Sequence, residues 1–376
     1  NVLATIARLG GKSGFIGKVG DDQFGNFLKE VLDNNGVSTQ GLVFSQEANT
    51  TLAFVHLDEK GERDFSFYRK LGADVLLRQD EVDYNLIDNT RIFHFGSLSM
   101  TNEPARTATL KAVRYAKDKG KTISYDPNWR PPLWESHSKA KEGMILGLSY
   151  ADILKISEVE LEFLTGESDL EQGTKILADM GIILILVTLG AEGCFYRYPR
   201  GVGHIKGFKV NVVDTTGAGD AFFGACLYHL CAVKDTLKEM DKNKLEDIIR
   251  FANGVGALCV TKKGAIPALP SIKEVEELSN KIYEHFKKPL KVFEHYFNIR
   301  LSLGVTIFPD DSSDADELIK FCDFAVKKSK QLGATYIYDE VETILTETSK
   351  VTGVQTVNGE RYIAPIVVNA DRKSVV

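Results

Sequence analysis

The stretch Asp214-Thr215-Thr216-Gly217-Ala218-Gly219-Asp220, followed by Ala221-Phe222-Phe223-Gly224-Ala225-Cys226-Leu227, decides how this chain is read. It joins a β-rich run, Phe208 to Val213, to an apolar run with a helical reading. Glycines at such a joint let backbone N–H groups converge on an anion. The start of a helix adds partial positive charge there. Asp220 stands in the first turn, where its carboxylate would lie beside the anion. An anion cradle next to a carboxylate suits phosphoryl transfer to a hydroxyl. A plain strand-to-helix turn would use the same glycines, so the rest of the chain has to separate the two.

Working outward, short apolar strands alternate with helices from Arg91 onward. The strands are predicted at Ile92–Phe95, Thr122–Tyr125, Ile153–Ile156 and Ile182–Val187. The helices are predicted at Pro104–Lys119, His137–Leu148, Glu158–Leu164, Glu171–Met180 and Leu245–Cys259, with a last one at Ser271–Phe286. Such alternation argues a mostly parallel sheet covered on both faces. Ahead of it, Asn1–Leu9 has helical spacing, Ser13–Val19 reads as a strand, and Phe24–Asn34 reads as a helix capped by Asp22. Thr50–Leu57 and Arg63–Arg69 flank Asp58-Glu59-Lys60-Gly61, a hairpin signal, and are expected to form a small β flap over one end of the sheet. Gly11-Lys12-Ser13 looks like the end of a P-loop, but the pattern needs glycine where Ile6 stands, so a Walker site is rejected.

In open α/β sheets, ligands bind beyond the carboxyl ends of the strands. Asp126 and Arg130 follow one strand, Glu160 the next, Gly190 a third, and Asp220 opens the helix after the glycine turn. These residues are expected to face one crevice.

The bulk numbers exclude several classes. The 376 residues exceed a usual single domain, and 43% hydrophobic content is that of a globular protein. The net charge of −6, with acids and bases mixed, gives no footprint for nucleic acid or an anionic membrane. Five scattered cysteines with no Cys-x-x-Cys suggest neither a disulfide framework nor a zinc site, and fit a cytoplasmic location. No apolar run reaches membrane-spanning length and no signal peptide is visible.

With these residues in view, residues 1 to about 286 resemble the PfkB, or ribokinase-like, carbohydrate kinases, and within them the fructokinases. The resemblance is carried by Asp214 to Asp220, by Gly10-Gly11 through Gly25, by Phe67-Tyr68-Arg69 and by Tyr125-Asp126-Pro127-Asn128-Trp129-Arg130. It implies a three-layer α/β/α sandwich with a small β lid, followed by α+β tail fragments. It also implies roles. Asp220 is the base toward the sugar hydroxyl, and Gly217, Ala218 and Gly219 form the anion hole. Asn1, Arg69 and Asp126 contact the sugar. Arg130, Thr188, Gly190, Gly193 and Asn253 contact ATP. Glu160 influences Mg2+ indirectly, with Ser157 in place of the usual asparagine three residues before it, and Asp214 binds a monovalent cation, K+. The implied reaction is ATP-dependent phosphorylation of fructose to fructose 6-phosphate, with 2-keto-3-deoxygluconate kinase and ribokinase as rival readings. A non-catalytic sugar or nucleotide sensor is the rival from another class. The family's first strands and a sugar-gripping Asp precede the position of Asn1, so the chain reads as N-terminally truncated; pairing of intact copies through the lid is implied as well.

After Lys288 the pattern changes, and three parts are expected: 1–288, 289–333 and 334–376. Asn298–Gly333 resembles the last strand and helix of a diguanylate cyclase domain, without its Gly-Gly-Asp-Glu-Phe motif. Residues 334–371 resemble a piece of a flavin-dependent desaturase or amine oxidase, with strands at Val341–Leu345, Val351–Val357 and Ile363–Val368 and an Asn358-Gly359 turn, but without a Gly-x-Gly-x-x-Gly loop. The ending Asp371–Val376 resembles a translated sequencing adapter, which makes a joined assembly the expectation and a natural fusion its rival.

Overall fold

Apolar runs of four or five residues cannot leave either face in water, and they set the architecture. In the computed structural model, residues 1–277 are described apart from 58–62, 71, 234–235 and 276. Beyond them the description covers short strands at 290–292, 295–297, 341–347, 350–356 and 361–363. The chain divides into two units, Asn1–Ile272 and Lys273–Val376.

The first unit opens with α1 (Val2–Arg8), β1 (Ser13–Gly20), α2 (Gln23–Asn34) and β2 (Val37–Ser45), with β1 and β2 paired in parallel. The predicted cap of α2 is present: Asp22 accepts the Gly25 N–H at 2.8 Å. Next come β3 (Leu52–Leu57) and β4 (Arg63–Tyr68), an antiparallel ribbon in register from Leu52↔Tyr68 to Leu57↔Arg63. Among the described residues this ribbon pairs with no other strand, which is the flap that the sequence predicts; its turn lies outside the described residues.

The alternating part follows as α3 (Tyr84–Asp88), β5 (Ile92–Gly96), α4 (Ala105–Asp118), β6 (Thr122–Asp126), α5 (His137–Leu148), β7 (Ile153–Ser157), α6 (Glu158–Thr165), α7 (Leu170–Asp179) and β8 (Leu184–Thr188). Then come β9 (Cys194–Tyr198), β10 (Gly201–Ile205), α8 (Ala218–Ala232) and α9 (Lys242–Cys259). One six-stranded sheet has the order β10-β9-β8-β7-β6-β5. Its β5 to β8 part is parallel, as predicted. The sequence reading leaves β2, β9 and β10 unassigned. β9 is antiparallel to β8, and β10 to β9, because the connections at 189–193 and 199–200 are too short for a crossover.

One prediction needs correction. Phe208–Val213 is not a strand. Val212 and Val213 are 60% and 53% exposed, so the run lacks the covering layer that its composition seemed to demand, and it is held at its end by the Val213 and Asp214 N–H groups on the Val260 carbonyl. The glycine turn is therefore reached from a loop. The last predicted helix is described as helical only at 272–275 and 277.

The core lies between sheet and helices. Ile123, Tyr125, Leu154, Ile156, Ile185 and Val187 meet Ala108, Ala112, Met144, Leu148 and Leu161 from α4, α5 and α6. Helix α8 buries every residue from Ala221 to Tyr228, so it has no polar face, the mark of a central helix. Gly224 makes room for this: a Cβ there would overlap Thr5 and the Val2 carbonyl of α1.

Burial also sets an acid limit on stability. It pushes His229 down to about 4. It does the same to His94, against an opposing pull from Asp220. The unfolded histidines take up protons near 6.5 and the folded ones do not until about 4. Stability is therefore complete above about 6.5 and falls as the pH drops through that window, by about 1.4 kcal/mol per pH unit for each histidine at the steepest. Asp126, raised to about 6, works in the opposite sense between 3.8 and 6. The net slope below pH 6 is then that of roughly one histidine. Urea denaturation from about pH 7.5 to about pH 4.5 checks this; a midpoint that rises on acidification contradicts it.

In the second unit, β11 (Leu290–Val292) pairs with β12 (His295–Phe297). Strands β13 (Val341–Glu347), β14 (Lys350–Thr356) and β15 (Arg361–Ile363) form an antiparallel sheet. The first two match predicted strands and β15 overlaps the third only at Ile363. The strand and helix expected within Asn298–Gly333 and the Asn358-Gly359 turn lie outside the described residues.

Candidate active site

The carboxyl ends of β6, β7 and β8 and the first turn of α8 supply the site. Gly217 caps α8 with φ +80°, a left-handed conformation that favours glycine, and no side chain caps the helix there. The turn is braced from below. Asp214 accepts the Thr216 N–H at 2.8 Å and, from across the fold, the Gly264 N–H at 2.9 Å. Its two oxygens thus fasten both ends of the loop pair around the glycines.

Asp220 lies half-buried in the first turn, and its Oδ2 accepts a 2.7 Å hydrogen bond from the Asn1 amide. The sequence places both residues in the site, and the structure brings them into contact. Asp126, 3% exposed, ends β6. Its Oδ1 accepts the Asn128 N–H at 3.1 Å and its Oδ2 accepts Lys155 Nζ at 3.0 Å. Burial pushes its pKa up to about 6; Lys155 opposes this, while Glu160 and Asp220 add to it.

Glu160 is fully engaged by protein donors. It accepts from the Trp129 N–H at 2.7 Å, the Ser157 N–H at 2.8 Å and the Ser157 hydroxyl at 2.9 Å. The Ser157 hydroxyl in turn accepts the Glu160 N–H, completing a capping box. Serine at the first position of this pattern therefore has a local reason, and Glu160 ties the loop after β6 to the start of α6.

On the opposite side, the Thr188 hydroxyl donates to the Ile156 carbonyl at 3.3 Å. Gly190 and Gly193 hold φ of +56° and +96° in the turn that follows. A Cβ on Gly193 would collide with the Ile205 carbonyl and the Gly207 nitrogen. Gly193→Ala is expected to cost roughly 2–3 kcal/mol through backbone strain and overpacking. A urea midpoint within error of the parent would contradict that. Asn253 uses its amide to donate to the Ile205 and Lys206 carbonyls at 3.0 and 3.2 Å, bracing the same loop. Arg130 Nη1 donates to the Trp129 carbonyl.

Arg69 is tethered. Its guanidinium donates to Asp74, to the Thr101 hydroxyl and to the Leu98 carbonyl. Those bonds fasten the end of the flap to the turn after β5. The neighbouring Ser97 donates to the Pro127 carbonyl next to Asp126, so the flap and the β6 end share an anchor.

The sequence reading gives no role to Lys155 or His94. His94 Nδ1 lies 3.1 Å from the Ser124 hydroxyl, and its ring meets Phe223 edge-on at 5.4 Å. The one legible signal was a charged residue inside the apolar strand Ile153-Leu154-Lys155-Ile156.

Residues 1–272 match the pfkB family of carbohydrate kinases. That match spans the sheet, the flap and the glycine turn. The chain belongs to the pfkB family of carbohydrate kinases. Among relatives of this pfkB chain, Fructokinase-1 of Zea mays is 48% identical over 282 residues, covering 75% of this chain and 87% of its own. A fructokinase from Xylella fastidiosa, solved with bound ATP, superposes with a TM-score of 0.71 at 37% identity, covering 75% of this chain and 89% of its own. A fructokinase from Vibrio cholerae O395, solved with fructose, ADP and a calcium ion, gives 0.68 at 37% identity, covering 73% and 88%. A double-mutant form of that enzyme holds fructose, ADP and potassium. The pfkB unit therefore carries the ribokinase-like α/β fold implied by the sequence.

Proposed function

We propose that the first unit transfers the terminal phosphoryl group of ATP to a hydroxyl of fructose, giving fructose 6-phosphate. The observation that carries this is the pairing of Asp220 with an uncapped, glycine-built helix start. That arrangement places a proton acceptor beside an anion cradle, and phosphoryl transfer requires little more of the protein than position and charge. Asp220 takes the proton from the attacking hydroxyl. The backbone at Gly217, Ala218 and Gly219 receives the charge that develops on the phosphoryl oxygens. Asp126 and Asn1 stand on the sugar side, and Arg69 acts there through its hold on the flap. Thr188, Gly190, Gly193, Asn253 and Arg130 shape the nucleotide side, Asn253 by bracing the loop with its amide.

Among the described residues, no cluster of three or more His, Cys, Asp or Glu is built to hold a metal. The fit is to Mg2+ arriving on the nucleotide phosphates, where it would neutralise phosphate charge. Glu160 then acts by fixing the loop after β6. Asp214, a hard oxygen donor in a backbone loop, suits K+. The four described cysteines are free, which supports a cytoplasmic location. No described helix is long and apolar enough to cross a membrane. We further propose 1–288, 289–333 and 334–376 as separate parts, and pairing of copies through the flap.

A coupled ADP-release assay over fructose, ribose and 2-keto-3-deoxygluconate, with and without Mg2+ and K+, tests the reading. Fructose is expected to give the highest kcat/KM. Turnover of another sugar at tenfold greater efficiency would displace it, and binding without any turnover would favour a sensor.

A further inference from the structure

Strand β7 has one charged residue among its apolar ones, Lys155. Its side chain is 10% exposed and its Nζ stands 3.0 Å from Asp126 Oδ2, on a side chain 5% exposed. The same ammonium lies against the glycine turn. A Cβ added to Gly219 would sit 3.0 Å from Nζ and 3.4 Å from Cε. Glycine at 219 therefore leaves the space that the lysine occupies.

We propose that Lys155 is a positioning residue for phosphoryl transfer: one buried ammonium fixes the sugar-side carboxylate Asp126 against the underside of the Gly217–Gly219 turn and keeps that carboxylate ionised. The inference rests on the carbohydrate-kinase reading. Its physical basis is that a buried carboxylate without a counter-charge takes up a proton instead. The groups facing Lys155 are Asp126 on β6, Glu160 on α6, Asp220 on α8, His94 on β5 and Cys194 on β9. His94 is pushed down to about 4 and Cys194 is pushed up by burial, so both are neutral at pH 7. Burial works against the Lys155 ammonium, but Asp126, Glu160 and Asp220 outweigh it and hold its pKa above the ordinary value. Asp126, raised to about 6 even beside this cation, is ionised at neutrality by a narrow margin.

Lys155→Met keeps the stem and removes the charge; Lys155→Arg keeps the charge. In the Met variant the acid limb of kcat/KM for fructose is expected to move up by about one pH unit or more. The Asp126 carboxyl should follow by the same amount in carbon-13 NMR titration of aspartate-labelled protein, its signal assigned by loss in Asp126→Asn. The Arg variant should keep both near the parent. A limb and NMR midpoint unmoved in the Met variant overturn the inference, as does an Arg variant that shifts as far as Met. If Lys155→Met does not fold, Asp126→Asn decides: its acid limb must drop below the parent's, and a limb that stays overturns the inference. The NMR titration needs no turnover. A chain that phosphorylates no sugar therefore sinks the kinase reading, while the Asp126 midpoint still tests this one.

Discussion

Asp220→Ala is expected to lower kcat for sugar phosphorylation by roughly 10²–10⁴, the usual worth of a positioned base. The substitution is well placed to separate chemistry from structure. Asp220 is half-buried, and the substitution gives up the 2.7 Å bond from the Asn1 amide. The glycine turn is held from elsewhere, by Asp214 on Thr216 and Gly264, so the cradle survives the change. The KM for ATP should then stay within about twofold while kcat falls, the pattern of an interaction made only in the transition state. The ADP-release assay reads both. Activity within about fivefold of the parent would remove Asp220 from the role of base.

The largest effect on stability belongs to Phe223→Ala, at roughly 3–5 kcal/mol. Phe223 is wholly buried in α8, a helix with no polar face to let the surroundings relax toward water. Its ring packs edge-on against His94 of β5, so truncation opens a cavity between the helix that carries Asp220 and the edge of the sheet. The urea midpoint should fall with little change in slope, and Phe223→Leu should recover most of it. A loss below about 1 kcal/mol would mean that the site collapses around the gap.

The sequence exposed its regular parts well because they obey short-range rules. The βα alternation after Arg91, the Asp22 cap and the flap strands each follow from spacing or from one side chain. The glycine turn was legible for the same reason. What escaped depends on partners far along the chain. The run Phe208–Val213 has strand composition, yet no neighbour offers it a ladder, and it remains a loop. Lys155 reads as an anomaly until the fold sets Asp126 and Gly219 beside it. Glu160 was legible as a polar residue at the right edge, whereas Asn253 came into the site only through the family resemblance. That their hydrogen-bonding groups are taken up by Trp129, Ser157 and the loop carbonyls of Ile205 and Lys206 is a matter of tertiary placement alone.

The clasp made by Asp214 has a consequence for how this protein behaves before it is finished. One carboxylate holds Thr216 two residues ahead and Gly264 fifty residues ahead. The glycine turn thus has its brace on both sides only after α9 and the residues that follow it are in place. A nascent chain that has not yet reached Gly264 lacks the second of these bonds, so the turn is left with the local brace alone.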